Sequence, residues 1–391
     1  MTTIVDTDLL GDLQKFGAAD VNACFSCGNC TALCPLSDND ATFPRRMIRY
    51  AQVGLTDELL GSKELWTCYH CGLCSDSCPT EADPGEFMAA ARRYAVASYD
   101  PTGLARILYT RPVVGTALAV GIAAFFALFM YAASGPQDGS TLALFEFISE
   151  DLIHWTGIGV MIALVVAGAI GVVRMARHVA RRDHVSLRSV IGGRAALART
   201  ARAAWSSIGV ESLGQRRFRE DCKDDAPAEP LYRRRWLIHA LTIWGFLGLF
   251  AATLMDWGLA LLGIKETGTA IPIWYPSRLL GTIAGISLVY GVTIFMINRA
   301  RRLTRSAQTS TASDWLLLAL LWITGVTGFA IEIALYQSGA PAWGYWVFLF
   351  HVAVAMELML LLPFTKFAHA MYRPVALFFL ALAKEPRPQE A

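Results

Sequence analysis

Two copies of one cysteine pattern, Cys-x2-Cys-x2-Cys-x3-Cys-Pro, govern what the first hundred residues can become. The first copy is Cys24, Cys27, Cys30 and Cys34, followed by Pro35; the second is Cys68, Cys71, Cys74 and Cys78, followed by Pro79. Runs of this spacing hold a pair of [4Fe–4S] clusters, each cluster taking three thiolates from one run and its fourth from the other. Cys24, Cys27, Cys30 and Cys78 are therefore expected on one cluster, and Cys68, Cys71, Cys74 and Cys34 on the other. Zinc usually takes paired Cys-x2-Cys knuckles with a longer spacer. Three cysteines crowded between Cys24 and Cys30 leave little room for that tetrahedron but suit three corners of a cubane. Disulfides need an oxidising compartment. Met1–Leu13 is acidic, with neither a basic n-region nor an apolar h-region, and Arg45-Arg46 is too deep to begin an export signal. The expectation is an electron-carrying cluster domain in the cytoplasm. Cys222 stands alone in a charged stretch and reads as an ordinary thiol.

Beyond residue 111 the chain changes character. With 54% hydrophobic and only 17% charged residues overall, the 391-residue chain has the bias of a membrane protein. Six segments approach the roughly 20 apolar residues needed to cross a bilayer: about Pro112–Ala133, Leu152–Val173, Trp236–Trp257, Leu279–Ile297, Trp315–Leu335 and Tyr345–Phe367. Arginines fill Arg174–Arg235 and Arg299–Arg305, whereas Ser134–Phe145 and Tyr336–Trp343 carry no Lys or Arg. Basic connections stay inside, so both termini and the cluster domain are expected on the cytoplasmic side of an inner membrane. The organisation expected is all-α: a cluster domain over residues 1–105, then a membrane domain over 106–391 with a cytoplasmic loop at 174–235.

Within the first part, Phe43–Gly54 with Pro44 at its start, Thr56–Leu65 and Pro84–Ser98 read as helices, and no alternating strand is visible. With its two cysteine runs, the region of residues 15–100 resembles the α-helical dicluster ferredoxin of the small iron–sulfur subunit of heterodisulfide reductase and, more distantly, of fumarate reductase. The adjacent-cysteine domain that carries noncubane chemistry in heterodisulfide reductase has no counterpart here, since no two cysteines are neighbours.

Ionisable side chains are costly inside a bilayer and point to function. His154, His239, His351 and His369 lie in or at the ends of the expected spans. His351 and His369 share the last expected helix, 18 residues apart; those steps make five turns, with a rise of about 27 Å. Both imidazoles then face one way, one near each membrane surface, as two b haems stacked across the bilayer require. Depth matching pairs His239 with His369 on the cytoplasmic side and His154 with His351 on the outer side. A single histidine at a helix end is also a common interfacial hydrogen bonder, and that suffices for His154 taken alone. His70, His178 and His184 read as non-ligands.

The His351–His369 spacing resembles the cytochrome b subunit of respiratory nitrate reductase, a family that places two further histidines ten apart on an earlier helix. His239 matches the first of these, but Leu249 occupies the second position; His154 is the expected replacement. The order of a dicluster ferredoxin and then this cytochrome resembles the fused ferredoxin–cytochrome b component of quinone-interacting membrane-bound oxidoreductases. That resemblance implies a six-helix haem b bundle, exchange of electrons with menaquinone, flavin-containing iron–sulfur partners related to the heterodisulfide reductase flavoprotein, and a link to adenylylsulfate reductase.

Quinones live in lipid and flavoproteins in water, so a chain with both kinds of centre is suited to connect them. Quinol oxidation releases protons, and Glu357, about 9 Å deeper than His351 by helical rise, is the candidate carboxylate. It is equally a carboxylate hydrogen-bonded between helices. Asp256 and Glu332 lie nearer the outer surface, where water solvates them. Arg278, beside Trp274 and Tyr275, suits a haem propionate or an interface anchor. Ser186–Trp205 reads as one amphipathic helix for the lipid surface or for docking, and Asp221–Pro230 as a mobile polar stretch. Nucleic acid is not an expected partner, because cytoplasmic loops normally carry such positive charge. No Gly-rich nucleotide-binding signature follows a strand, so flavin or nicotinamide belongs to other chains. The alternative within the same chemistry is a quinone module of a heterodisulfide-reductase-type or other dehydrogenase complex; a structural anchor that recruits a partner without electron transfer to haem is the competing class.

Overall fold

A computed structural model describes residues 4–37, 42–137, 142–221, 230–265, 272–337 and 341–384. Cys222 and most of the 221–230 stretch fall outside these. The described residues form helices and their connections, with no strand among them. The protein is thus all-α, a cysteine-bearing region followed by six long apolar helices.

In the first region, helix α1 (Arg45–Gln52) begins after Pro44, and α2 (Pro84–Tyr99) begins with Pro84 at its first turn. Asp83 caps α2 by accepting from Glu86 N at 3.1 Å, satisfying a backbone donor that the helix leaves unpaired. Short turns of helix at Thr56–Leu60 and Lys63–Trp66 replace the single helix expected there, because Gly61 ends the first. Phe16, Met47, Leu59, Trp66, Phe87 and Tyr99 form a buried core around α2.

The long helices are α3 (Pro112–Ala132), α4 (Glu150–Arg182), α5 (Arg235–Leu261), α6 (Pro276–Ala300), α7 (Ala312–Tyr336) and α8 (Trp343–Leu361). All are long and apolar enough to cross a membrane, and α8 is the most enclosed, packed against α3, α4 and α7. Helices α5 and α6 approach through small residues. A Cβ at Gly245 would sit 2.6 Å from Leu288 N and 2.8 Å from Ala284 O, so only glycine permits this contact. Close packing of this kind is how helices associate where lipid removes the hydrophobic drive.

Three helix boundaries depart from expectation. Helix α4 runs through Arg182, well past Val173, because nothing in 174–182 breaks it and Met175 and Val179 bury against the cysteine-bearing region. The stretch Ser186–Trp205 is divided at Gly192-Gly193 into Leu187–Ile191 and Arg194–Trp205, with Gly193 at φ +103°. The last apolar helix is also interrupted. Helix α8 ends at Leu361, two tight 3-10 turns flank an extended Thr365 (φ −105°, ψ −175°), and α9 (His369–Lys384) starts afresh. Pro363 lies at the break; its ring excludes the carbonyl of the preceding turn and it offers no N–H. His351 and His369 therefore lie on two helices, and five uninterrupted turns do not set their relative orientation.

The cysteine-bearing region caps the end of the bundle where the basic connections lie. At the end of α4, Arg182 reaches Glu58 (3.1 Å), Glu64 (3.1 Å) and Tyr50 (3.3 Å), while Lys63 pairs with the following Asp183 at 2.6 Å. Burial alone would raise the Glu64 carboxyl, but Lys63 and Arg182 outweigh it and hold it below its ordinary value. Its contribution to docking is thus present at neutral pH and is lost as pH falls through that depressed value. On the other side, Glu86 pairs with Arg93 at 2.7 Å and accepts a hydrogen bond from Thr309 in the α6–α7 connection.

Changing Gly245 to Val should force α5 from α6 and destabilise the protein by on the order of 1–3 kcal/mol or more. Gly258→Ala, where nothing lies within 4 Å of the added Cβ, should be near neutral. Thermal unfolding in detergent separates the two.

Candidate redox site

The two cysteine runs repeat one backbone as well as one sequence. The residue before each second cysteine, Ser26 or His70, has positive φ (62° and 54°), and the glycine after it, Gly28 or Gly72, lies at 92° and 96°. Each glycine starts a short helix, Asn29–Leu33 or Leu73–Asp76. These left-handed positions turn the chain so that successive cysteines face one point, and they favour glycine where the turn is tightest. His70 thus has a backbone role, its ring packed beside Ser75 and Gly85.

Cys24, Cys27, Cys30 and Cys78 line one cavity together with Asn29 and Arg45. Burial pushes the Cys30 thiol up, and the neighbouring charges that add to this are those of Cys24, Cys27 and Cys78. Burial likewise pushes Cys34 up to about 12, with Cys68, Cys71 and Cys30 adding, and raises Cys74, where Cys68, Cys71, Cys34 and Cys30 add. Cys78 thus lies with the first run in one cavity, while Cys34 and Cys74 feel the charges of cysteines from both runs. Thiols this shielded stay protonated in water, and a metal must hold them as thiolates. Among the described residues no three Cys, His, Asp or Glu side chains converge as on a single ion. A cubane asks for one thiolate at each of four corners, and the residues fit that demand.

His239, in the first turns of α5, and His369, at the start of α9, both lie at the capped end of the bundle, where the charge of His239 bears on His369. His239 Nδ1 donates to Gln215 Oε1 at 3.1 Å, which leaves the Nε2 lone pair free for a metal. His369 is kept well below its ordinary pKa by burial, then by Arg373, Arg92 and His239, so it too is a neutral imidazole. Gln215 Nε2 and Arg92 Nε are buried here without hydrogen-bond partners. Two neutral imidazoles with spare donors beside them fit a bis-histidine haem carrying anionic propionates.

At the far end, Thr327 donates its hydroxyl to Ile323 O at 2.6 Å and so accepts from His351 Nδ1 at 2.8 Å. His351 also presents Nε2. His154 follows a different course: its Nδ1 is 3.8 Å from Glu150, its side chain is 39% exposed, and its ring lies 6.1 Å from that of Trp257 on α5. His351 thus contacts Thr327 on α7, and His154 contacts Glu150 on its own helix and Trp257 on α5. Arg278 lies 3.4 Å from Glu332 and over the Tyr336 ring at 5.6 Å. Glu332, expected to be solvated, is instead only 16% exposed and paired. Asp256 holds Lys265 (2.6 Å) and Ser277 (2.8 Å) at the end of the bundle away from the cysteine-bearing region. Glu357 is 2% exposed and its Oε1 has no hydrogen-bond partner. Six residues along α8 place it about 120° around the helix from His351.

Sequence reasoning missed Gln215, Thr327 and the arginines around His369. Each belongs to a segment remote from its partner in the chain, and no spacing rule links them.

These features define a membrane-associated electron-transfer protein with a 4Fe–4S dicluster domain. Residues 20–82 match the family profile of that domain, and residues 151–391 match the profile described as citrate utilization protein B. The second match spans more than half of the chain, which therefore belongs to the citrate utilization protein B family. Citrate utilization protein B of Escherichia coli is 30% identical over 164 residues, 42% of this chain and 41% of that protein. One component of the H2:CoB-CoM heterodisulfide, ferredoxin reductase of Methanothermobacter thermautotrophicus is 34% identical over 62 residues, 16% of this chain and 34% of that component. An iron–sulfur component of the CoB–CoM heterodisulfide reductase of Methanopyrus kandleri is 44% identical over 46 residues, covering 12% and 24%. The chain thus matches at most about two fifths of the length of these relatives. No solved structure matches it.

Two cubanes should yield about eight acid-labile sulfides per chain, and Cys27→Ser should lose about half by chemical analysis. Gln215→Leu should weaken any haem held by His239 by about 10-fold or more, as loss of a ligand-orienting partner does, read from haem retention on purification.

Proposed function

We propose that this chain passes electrons between a quinone in the bilayer and a cytoplasmic flavoprotein, through two b haems and two [4Fe–4S] clusters. The observation that carries the reading is the His239–His369 pair, set with a free Nε2 on His239 at the end of an apolar bundle, directly beneath the cysteine-bearing region. Haems and clusters, when bound, each take up and release single electrons. The chain supplies their ligands and their surroundings. His239 and His369 would hold the inner haem, His351 and His154 the outer one, with Arg278 near its propionates. The two interleaved cysteine sets would hold the clusters. Buried, and with one oxygen unpaired, Glu357 is placed to take a proton released by the quinol.

Basic connections and the cysteine-bearing region share one end of the bundle, which supports a cytoplasmic position for that region and both termini in an inner membrane. A limit between a cluster domain (1–105) and a membrane domain (106–391) is supported by the start of α3 at Pro112, just after the short helix Leu104–Thr110. The soluble partners implied by resemblance are flavin-containing iron–sulfur proteins of heterodisulfide reductase type, with menaquinone in the membrane and adenylylsulfate reductase as a linked enzyme. The matches to heterodisulfide reductase components favour a partner of the first type.

Purified protein should show a b-type spectrum that a quinol reduces, and His369→Ala should abolish the inner-haem component. Absence of any b-type spectrum would favour a membrane anchor instead. Glu357→Gln should slow quinol oxidation by roughly 100-fold in stopped-flow traces while leaving the dithionite-reduced spectrum unchanged.

A further inference from the structure

One short segment, Trp66 to His70, joins the cysteine-bearing region to the bundle, and its contacts are unlike those elsewhere. Every backbone carbonyl from Trp66 to His70 accepts from an arginine. Arg373 of α9 reaches the Trp66 and Thr67 oxygens at 3.1 and 3.5 Å. Arg92 of α2 reaches Cys68 O at 2.9 Å. Arg235, at the start of α5, reaches Tyr69 and His70 O at 3.3 and 3.5 Å. The segment is held from both sides at once.

Trp66 fills the gap this creates. It is 1% exposed, with its ring 6.1 Å from His369 and 5.1 Å from Tyr372, both on α9, and it stacks on Tyr99 at 6.5 Å. Two residues further on is Cys68. The same cysteine run is covered from the bundle side by Arg305, which packs on Gly72 and pairs with Asp76 at 3.4 Å. The other set has a different outlook. Cys27 is exposed, Phe25 is 64% exposed, and their cavity opens to solvent.

We infer that electrons cross between the bundle and the cluster domain at Trp66. The set Cys34, Cys68, Cys71 and Cys74 is then the first centre beyond the membrane, and the set Cys24, Cys27, Cys30 and Cys78 is the solvent-side terminus. The inference rests on the proposed haem at His369 and on the two proposed cysteine sets. Tunnelling through protein falls steeply with distance, so the order of centres follows their proximity. One electron moves per step. A haem held by His369 would lose one electron as a cluster held by Cys34, Cys68, Cys71 and Cys74 gained one, with no bond made or broken and no proton moved. A hydroquinone in the bilayer is the donor in one direction, and a reduced flavin in the other.

The test uses the full-length protein in lipid nanodiscs, reduced with menadiol, freeze-quenched and followed by EPR. In Cys27→Ser, the Cys68-run cluster should still be reduced at the rate seen in the parent protein. In Cys71→Ser, the Cys24-run cluster should be reducible by dithionite but not by menadiol; its reduction by menadiol at the parental rate overturns the order. Trp66→Leu should slow cluster reduction at least about tenfold, equivalent to one decade of rate, with the haem spectrum and iron content unchanged. Trp66→Phe should recover part of the loss. An unchanged rate in Trp66→Leu overturns the role of Trp66 even if the cysteine variants fail to assemble. Absence of b-type haem from the parent protein sinks the membrane reading itself, which is a separate outcome.

Discussion

Both cysteine runs turn through left-handed backbone, at Ser26 and Gly28 and at His70 and Gly72, and the segment leading into the second run turns its carbonyls to side-chain donors. Buried carbonyls need donors. In the Trp66–His70 segment those donors are Arg92, Arg235 and Arg373, two of them rooted in the membrane-side helices. A buried guanidinium is itself expensive. Arg373 offsets part of that cost over the Tyr69 ring, 4.7 Å from its centroid, and the rest through the carbonyls it serves. Domain docking and the local fold of the second cysteine run are therefore one structural fact. A cubane with four thiolates is a net anion, so the same arginines place positive charge beside it, a lever on its potential.

The docking surface also explains the state of the imidazoles. Enclosure between α5, α9 and the cysteine-bearing region leaves His369 in a dry, positively charged setting where a protonated ring is unwelcome. Gln215 fixes His239 from outside the bundle. It reaches that position because the chain after Arg194–Trp205 winds through the wide turns of Ser206–Leu213 and packs on α9, where Ser207 donates to Pro374 O at 2.7 Å. The arginine-rich connection, expected to lie on lipid or to dock, thus packs beside His239. Its outer face keeps Leu197 and Trp205 exposed, as a surface-lying helix would.

The relatives divide along the same line as the structure. The citrate utilization protein B profile covers α4 to the C-terminus, and the heterodisulfide reductase matches are short, as is the dicluster profile at residues 20–82. The joint between the two regions is made by residues from both. Arg182, Arg235, Arg305 and Arg373 come from the bundle side, and Glu58, Glu64, Trp66 and Asp76 from the cluster side.

Much of this was legible in the chain. The cysteine runs state their cofactor because ligand spacing is a local property, and the six apolar stretches state their spans because bilayer thickness is a length. The division of basic and neutral connections was equally plain. Even the break before His369 had a local sign in Pro363, outweighed by the regular spacing of two histidines across it. What no local pattern held was partnership: that Gln215 meets His239, that Thr327 meets His351, that three arginines from three helices converge on five carbonyls, and that Trp66 lies against His369. Periodicity tells which residues share a face of one helix. Which distant segment covers that face is decided only when the whole chain packs and every buried donor and acceptor must find its counterpart.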